Sequence, residues 1–111
     1  MEIAHLVMDL DGKRELRVAA FDGHELMATA SVACWGRAAV TIYQLFVTKD
    51  HRRKGVGRAM VDHVLQEAYG YCAEAVSAIV EDGGPIDFWK AMGFKVAHSE
   101  DAKVLVSRRL V

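Results

Sequence analysis

The sequence predicts an α+β fold (α/β in some schemes), with a mixed, mostly antiparallel sheet of six or seven strands and two helices. Three observations indicate this class. Turn signals such as Asp11-Gly12 and Asp22-Gly23 separate consecutive apolar segments, which is typical of an antiparallel meander. An apolar segment at 40–47 leads through a basic, glycine-containing turn into the clearest helical pattern of the chain. The apolar segment after that helix is expected to lie parallel to residues 40–47, because a helical crossover returns the chain to the same sheet.

The individual elements follow from apolar spacing and from the turns between them. Strands are predicted at 3–10, 15–21, 25–35 and 40–47, and a helix at 56–69 with Gly70 at its C′ position. A strand at 72–80, a short helix at 85–92 and a closing hairpin at 94–98 and 103–109 complete the chain. No repeat, low-complexity segment or linker interrupts this order, so residues 1–111 are expected to form a single domain.

The strand at 40–47 is expected to lie at the centre of the sheet and to be covered on both sides. Alternation divides its larger apolar residues into two sets, Val40, Ile42 and Phe46 on one face and Tyr43, Leu45 and Val47 on the other. Because both sets are largely apolar, the pattern is typical of a strand that is buried on both faces.

Composition and charge exclude several classes of protein. The 111 residues are 52% hydrophobic and 26% charged, which is ordinary for a globular domain. The net charge of −1 gives no overall attraction to nucleic acid or to an anionic membrane. Two cysteines are too few for a disulfide scaffold or a zinc site, and the histidines show no mutual spacing that indicates a metal. With no signal peptide or membrane-spanning run, a cytoplasmic location with reduced thiols is expected.

The turn before the long helix contains the parts of an anion-binding site. It reads Arg52-Arg53-Lys54-Gly55-Val56-Gly57, followed by Arg58. The first N–H groups of a helix lack acceptors and carry partial positive charge, and glycines let a ligand approach the backbone closely. A phosphate or pyrophosphate is therefore the expected ligand. The alternative is an ordinary strand-to-helix turn with solvated basic residues, and no nucleoside-triphosphate loop motif is present.

Two motifs together resemble the GNAT superfamily of acetyl-CoA-dependent N-acetyltransferases. Residues 52–57 fit the Arg/Gln-x-x-Gly-x-Gly/Ala pattern of that family. The segment Phe88-Trp89-Lys90-Ala91-Met92-Gly93-Phe94 is similar to its second signature, an aromatic pair on a short helix followed by Gly-Phe. The motifs occur in the family's order with a strand between them, and the resemblance covers residues 15–98.

The resemblance implies a cleft between the fourth and fifth strands that holds acetyl-CoA as the co-substrate, without a metal. Backbone amides between residues 53 and 58 would hold its pyrophosphate, and the edge of the fourth strand would pair with its pantetheine arm. Asp82 lies where an Asn often contacts the cofactor, or it caps the short helix. The implied cofactor-binding residues are Leu45, Phe46, Val47, Arg52, Arg53, Lys54, Gly55, Val56, Gly57, Arg58, Asp82 and Trp89.

The catalytic residues do not follow directly from the resemblance. Trp89 replaces the tyrosine that often protonates the leaving thiolate, so it is expected to shape the thioester pocket or to pack in the core. The usual Glu of the fourth strand is also absent. Tyr43, as an acid or hydrogen-bond donor, and Glu81, as a base, are the remaining candidates. Their alternatives are a core ring for Tyr43 and a solvated loop carboxylate for Glu81.

Four further residues are candidates for a part in the chemistry or in the binding of the substrates. The backbone N–H of Phe46 or Val47 would polarise the thioester carbonyl, as is common in the family. His51 is expected to be a surface residue beside the phosphate rather than a base. Cys34 as an acyl-carrying nucleophile is disfavoured, since direct attack by the amine is the family's rule.

The chain departs from the family between its first two strands, where two helices usually wall the acceptor site. Only residues 11–14 lie there, so the acceptor side is expected to be open, for an acceptor on a large molecule, or to be completed by a second subunit in a homodimer. The expected function is transfer of acetyl from acetyl-CoA to a primary amine in a ternary complex. The alternatives are a non-catalytic acyl-CoA-binding or sensing module and, less favoured, a small nucleic-acid-binding protein that uses residues 51–54.

Overall fold

A computed structural model describes residues 1–10, 12–35, 39–81 and 84–111 of the chain. In chain order the elements are β1 (Glu2–Leu10), β2 (Lys13–Asp22), β3 (Glu25–Trp35), β4 (Ala39–Val47), a 3-10 turn (Lys49–His51), α1 (Val56–Gly70), β5 (Ala75–Glu81), α2 (Ile86–Ala91), β6 (Lys95–Glu100) and β7 (Lys103–Arg109). The predicted α+β class and the predicted order of strands and helices are confirmed.

The strands form one sheet in the order β1-β2-β3-β4-β5-β7-β6. Strands β4 and β5 are parallel, and all other neighbouring pairs of the described sheet are antiparallel. This agrees with the predicted meander and helical crossover. The closing hairpin joins the sheet through its second strand, so that β7 lies beside β5 and β6 forms an outer edge.

The hydrophobic core lies on one face of the sheet, under both helices. Burial alternates along β2, where Leu16, Val18 and Ala20 face the core and are no more than 2% exposed. The short helix α2 contributes Trp89 to the same core. The predicted apolar stripe of α1 is buried against these strands and consists of Met60, Val61, Val64, Leu65 and Ala68.

The opposite face of the sheet carries no helix in the described residues, since both helices belong to the core on the first face. Arg17 and Leu6 are paired neighbours on this open face, and the side chain of Leu6 is 61% exposed. A shallow groove of about 420 Å³ lies along it and reaches Gln44 of β4. The openness agrees with the expectation from the short connection between β1 and β2.

The end of α1 differs from the prediction. The helix continues through Gly70, and the left-handed residue that terminates it is Cys72, with φ of 58°. The N–H of Ala73 donates to the carbonyl of Ala68 at 3.0 Å, and the N–H of Cys72 donates to the carbonyl of Tyr69 at 3.0 Å, which is a Schellman motif. Because this motif uses residues up to Ala73, β5 begins at Ala75 rather than at residue 72.

Among the described residues, neither helix has the length and the apolar composition that a span across a lipid bilayer requires.

The prediction that residues 40–47 are covered on both sides is wrong, because β4 contains a β-bulge. Ser31 of β3 pairs with Gln44 and Val32 pairs with Ile42, which leaves Tyr43 as the extra residue. The bulge shifts the alternation by one residue. Leu45 and Val47 therefore pack against the core on the same side as Val40 and Ile42, whereas Phe46 is 47% exposed.

Candidate active site

The parallel strands β4 and β5 separate after a short region of pairing. They pair only from Val40 to Ile42 and from Val76 to Ala78. Beyond these positions β4 continues to pair with β3 as far as Val47, and β5 continues to pair with β7 as far as Glu81. The bulge in β4 lies where the separation begins. The facing edges of both strands therefore have no strand partner in the described part of the chain, and a cleft opens between them.

The turn after β4 presents the start of α1 to this cleft. Gly55 is the residue before the helix and has φ of 81°, a left-handed conformation that glycine adopts without strain. Arg53 adopts φ of 62°, which is uncommon for a residue with a side chain. No side chain caps the helix, and its first turn contains no acidic residue. The first N–H groups of α1 are therefore available to an external anion.

Gly57 lies in the first turn of α1, next to the Phe88 ring of α2. A Cβ built at this position would be 3.4 Å from Cε1 of Phe88 and 3.8 Å from Cγ2 of Val47. A side chain at residue 57 would therefore fill the space between the start of α1 and the ring of Phe88. The glycine keeps that space open.

A cavity of about 690 Å³ lies at the start of α1. Of the predicted cofactor-binding residues it is lined by Leu45, Phe46, Val47, Arg52, Arg53, Gly55, Val56, Gly57 and Arg58. The lining does not include Lys54, and Asp82 lies outside the described residues. The structure thus brings nine of the twelve predicted residues around one cavity of the size that small-molecule ligands occupy.

Arg52 is held across the end of β4. Its Nε donates to the carbonyl oxygen of Val47 at 2.9 Å, and its guanidinium carbon lies 5.7 Å from the centre of the Phe46 ring. Cation–π contact and hydrogen bond together orient a long, flexible side chain. These two contacts favour side-chain conformations of Arg52 that keep its positive charge beside the cavity.

His51 is less exposed than expected and also lines this cavity. Its side chain is 13% exposed, its Nδ1 shares a hydrogen bond of 2.6 Å with Oγ1 of Thr48, and its Nε2 lies 3.6 Å from Oε1 of Glu25. The ring is thus held from two sides at the edge of this cavity. The expectation of a surface residue beside a phosphate stays a prediction.

A second cavity of about 510 Å³ continues from the first into the separation of β4 and β5. The two cavities share the lining residues Leu45, Pro85 and Phe88, so they adjoin each other along the gap between β4 and β5. Both candidate catalytic residues, Tyr43 and Glu81, line the second cavity. The alternative of a core ring for Tyr43 is wrong, since this bulge residue is 42% exposed. Glu81 is exposed at the end of β5.

Trp89 lies between the core and the cleft. It is 5% exposed and belongs to the core, which agrees with one of its two expected roles, and it also lines the second cavity. A contact with a bound thioester stays a prediction. Its ring packs edge-on against Phe88 and Phe94, with centroid distances of 5.2 and 5.1 Å. Such aromatic pairs favour one relative orientation of the rings. The packing of Trp89 against Phe94 in the core therefore helps to fix the position of Phe88 in the cleft wall.

Gly84 packs closely against the end of β5. Its N–H donates to the carbonyl of Glu81 at 2.8 Å, and a Cβ at this position would lie 2.7 Å from Cγ1 of Val80. Only glycine fits this position without displacement of its neighbours. Pro85 and Phe88, which follow it, line the same cavity as Glu81.

Sequence reasoning missed two residues that line both cavities, Pro85 and Phe88. It also missed four residues of the second cavity, which are Gln44, Ile79, Val80 and Gly84. Phe88 carried a usable signal, because it is the first aromatic residue of the second motif. Pro85 carried none, since its predicted role as the first residue of a helix says nothing about which side of the helix it faces.

The two cysteines differ in environment, and we expect them to differ in reactivity. Burial raises the pKa of the Cys34 thiol, with nearby Glu67 reinforcing and Arg14 opposing this shift, while Cys72 is exposed. Because the thiolate is the reactive form, Cys72 should react rapidly with a thiol reagent at neutral pH and Cys34 only after unfolding. Stopped-flow measurement with a disulfide reagent checks this, with Cys72→Ser as the control that removes the fast phase. Equal rates for both thiols in the folded chain would contradict it.

The fold and the cleft define a protein that is shaped to hold an elongated ligand with an anionic end. The cleft runs along an unpaired strand edge and ends at an uncapped helix start with Arg52, Arg53 and Arg58 around it. A family model for the acetyltransferase (GNAT) domain matches residues 12–96. The chain therefore belongs to the GNAT family of acetyltransferases.

Solved structures share this fold. A PaiA N-acetyltransferase from Thermoplasma acidophilum, in complex with coenzyme A, has a TM-score of 0.79 at 13% identity, over 86% of this chain and 60% of that one. An aminoglycoside 6′-N-acetyltransferase complexed with coenzyme A has a TM-score of 0.80 at 14% identity, over 87% of this chain and 73% of that one. A GNAT family acetyltransferase from Elizabethkingia anophelis with acetyl-CoA bound has a TM-score of 0.76 at 10% identity, over 97% and 98% of the two chains. No curated protein shows significant sequence similarity to the chain.

Proposed function

We propose that the protein is an N-acetyltransferase that moves acetyl from acetyl-CoA to a primary amine by direct transfer in a ternary complex. The observation that carries this proposal is the arrangement of two adjoining cavities along the gap between β4 and β5. They extend from an uncapped, basic helix start, past the unpaired edge of β4, to Tyr43 and Glu81 where the strands separate. Coenzyme A is bound in two structures with the same fold and acetyl-CoA in a third. Both molecules consist of an anionic end, an extended arm with amide groups and a terminal sulfur, an order that suits this arrangement.

The anionic end of acetyl-CoA is assigned to the start of α1. The backbone N–H groups around Gly55 and Gly57 hold its pyrophosphate, since no protein side chain occupies them. Arg52, Arg53 and Arg58 add charge around the same cavity. The pantetheine arm then follows residues 45–47, where its amides replace the strand partner that β4 lacks.

The thioester is assigned to the junction of the two cavities, beside Leu45 and next to Tyr43 and Glu81 of the second cavity. There the neutral amine attacks the carbonyl carbon, and the carbonyl oxygen becomes an oxyanion that a backbone N–H of β4 stabilises, at Phe46 or Val47. Glu81, directly or through one water, takes the proton that the nitrogen loses. The carbon–sulfur bond then breaks, and Tyr43 donates its proton to the leaving thiolate. Holding both reactants in one cleft supplies much of the acceleration.

The acceptor is proposed to approach from the open face of the sheet. Gln44 lines both the groove on that face and the second cavity, so the two lie next to each other at this residue. Because no described helix narrows this side, an amine carried on a large molecule has access. Alternatively, a second copy of the chain would cover this face and supply the wall of the acceptor site. The proposal therefore includes a homodimer.

The test begins with native mass spectrometry for copurified coenzyme A, followed by measurement of CoA release from acetyl-CoA with a panel of small amines, peptides and protein lysines. Tyr43→Phe and Glu81→Gln should each lower turnover by about tenfold or more while the Kd for acetyl-CoA is unchanged. Tyr69→Phe and Glu100→Gln, which alter the same residue types at exposed positions, serve as controls.

Two outcomes would contradict the proposal in different ways. Turnover that is unchanged in both cleft variants would remove Tyr43 and Glu81 as catalytic residues. Tight binding of acetyl-CoA without turnover against any amine would instead identify a non-catalytic binding or sensing module, the alternative that the absent family acid and base first suggested.

A further inference from the structure

A second group of polar side chains meets between β1 and α1, on the core face of the sheet. Nδ1 of His5 lies 2.9 Å from Nε2 of His63 and 3.8 Å from Oε1 of Glu67. One ligand-type atom from each of the three side chains lies within 4.8 Å of the other two. His5 and His63 are separated by 58 residues, which is why the spacing of histidines in the sequence did not reveal this group.

The backbone explains why these three side chains converge. His63 and Glu67 are four residues apart on α1, so they project from the same face of the helix one turn apart. His5 is paired with Val18, whose buried side chain faces α1, and His5 therefore projects towards the helix as well. The His5 and Glu67 side chains are 33% and 31% exposed, so the group can be reached from solvent.

We propose that His5, His63 and Glu67 form a binding site for a divalent transition-metal ion of the zinc type. Two imidazole nitrogens and one carboxylate oxygen are a common ligand set for such ions, and three protein ligands leave a fourth position for water. Zinc–nitrogen bonds of about 2.0–2.1 Å at a tetrahedral angle place two ligand atoms about 3.3 Å apart. The separations of 2.9 and 3.8 Å around Nδ1 of His5 lie within about half an ångström of that value.

The charges around the group do not oppose a cation. Arg14 is paired with Cys34 of the core, and its guanidinium carbon lies 5.3 Å from the centre of the Tyr71 ring, so a positive side chain lies on the same side of the sheet. Arg14, however, donates to Oδ1 of Asp9 at 2.8 Å, so that its charge is paired. Glu67 contributes one negative charge, and this partly neutralises a divalent ion.

The site lies apart from the cleft, so the proposed role of the ion is to stabilise the fold and not to take part in acetyl transfer. Strand β1 forms an edge of the sheet and is three strands from β4, a distance of about 14 Å at the usual strand spacing. An ion at this position joins the edge strand to the long helix. Strand β1 pairs only with β2, and its residues Leu6 and Val7 are exposed. A metal ion bound to His5 and α1 would therefore stabilise an edge strand that has few other contacts.

The experiment uses the full chain with any polyhistidine tag removed, after dialysis against a chelator. Calorimetric titration with zinc chloride should show one ion bound per chain, and zinc should raise the midpoint of thermal unfolding. Cobalt, used as a spectroscopic substitute, should give the visible bands of a four-coordinate ion. Because even outer-shell partners of a metal ligand contribute roughly tenfold to a hundredfold in affinity, His5→Asn, His63→Ala and Glu67→Gln should each weaken binding by at least that factor.

His98→Ala is the matched control, because His98 is another histidine beside a carboxylate, with Nε2 3.3 Å from Oε2 of Glu100 on the distant strand β6. It should leave zinc affinity and the zinc-induced stabilisation unchanged. Circular dichroism of each metal-free variant separates loss of a ligand from loss of the fold, and the exposed His5 offers a variant that leaves the helix intact. The proposal is overturned if the wild-type chain binds no zinc, or if the three ligand variants bind it as tightly as the control does.

Discussion

Gly57→Glu is expected to abolish binding of acetyl-CoA while the chain stays folded. Its Cβ would lie 3.4 Å from the ring of Phe88, so the longer Glu side chain must enter the cleft. There its carboxylate would face the pyrophosphate, and like charges placed together cost several kcal/mol, or roughly a hundredfold or more in Kd. A carboxylate in the first turn of a helix is favourable to the helix itself, so folding should not suffer. Calorimetry with acetyl-CoA and circular dichroism of the variant check both statements.

Gly70→Glu is the control for this experiment. It adds the same charge to the other end of α1, at a position where a Cβ would meet nothing within 4 Å. Its affinity for acetyl-CoA should equal that of the unaltered chain. If the Gly57 variant also retains normal affinity, the pyrophosphate does not lie at the start of α1 and the assignment of the cleft is wrong.

Trp89→Ala is expected to lower the free energy of unfolding by about 3–5 kcal/mol, which is typical when a large buried aromatic ring is removed. The ring is 5% exposed and packs against Phe88 and Phe94. Its loss would leave a cavity between the core and the cleft wall, and Phe88 would lose its support. Chemical denaturation followed by circular dichroism measures the loss, and binding of acetyl-CoA should weaken along with it.

Trp35→Ala is the matched control, since the chain has two tryptophans and Trp35 is 49% exposed. It loses a cation–π contact with Nζ of Lys13, which lies 5.0 Å from the ring centre, and we expect a cost of about 1 kcal/mol or less. Equal losses of stability in the two variants would show that Trp89 is not a structural member of the core.

The order and type of the elements followed from local patterns because local physics decides them. The turns at Gly12 and Gly23 use left-handed glycines, with φ of 78° and 61°, which a dipeptide signal is sufficient to predict. The buried stripe of α1 follows from helical periodicity alone. Both predictions depend only on residues that are close in sequence.

Predictions that depended on an exact alternation or on a helix end were less accurate. The bulge at Tyr43 reverses the faces of residues 44–47, and nothing in the local sequence marks Tyr43 as the extra residue. Similarly, Gly70 has the residue type of a helix terminator, yet the Schellman motif forms at Cys72 because Ala73 is buried there at 2% exposure. In both places packing against distant residues outweighed local preference.

In the candidate cleft, too, the features that depend on neighbouring residues were predictable and those that depend on distant residues were not. The residues at the start of α1 were predictable, because an anion site of this kind is built from one continuous segment. The sequence did not predict that Phe88 and Pro85 line the cleft, or that Tyr43 and Glu81 line the same cavity. These residues come from separate segments, which the fold brings together where β4 and β5 separate.

The sequence by itself determined the α+β class, the meander and crossover, and the basic glycine-containing turn before α1, since each is encoded in neighbouring residues. Only the tertiary structure decided that β7 rather than β6 pairs with β5, that the strands separate after Ile42, and that His5 meets His63 and Glu67. These features arise from contacts between residues far apart in the chain, whose geometry depends on how the whole sheet packs against its helices.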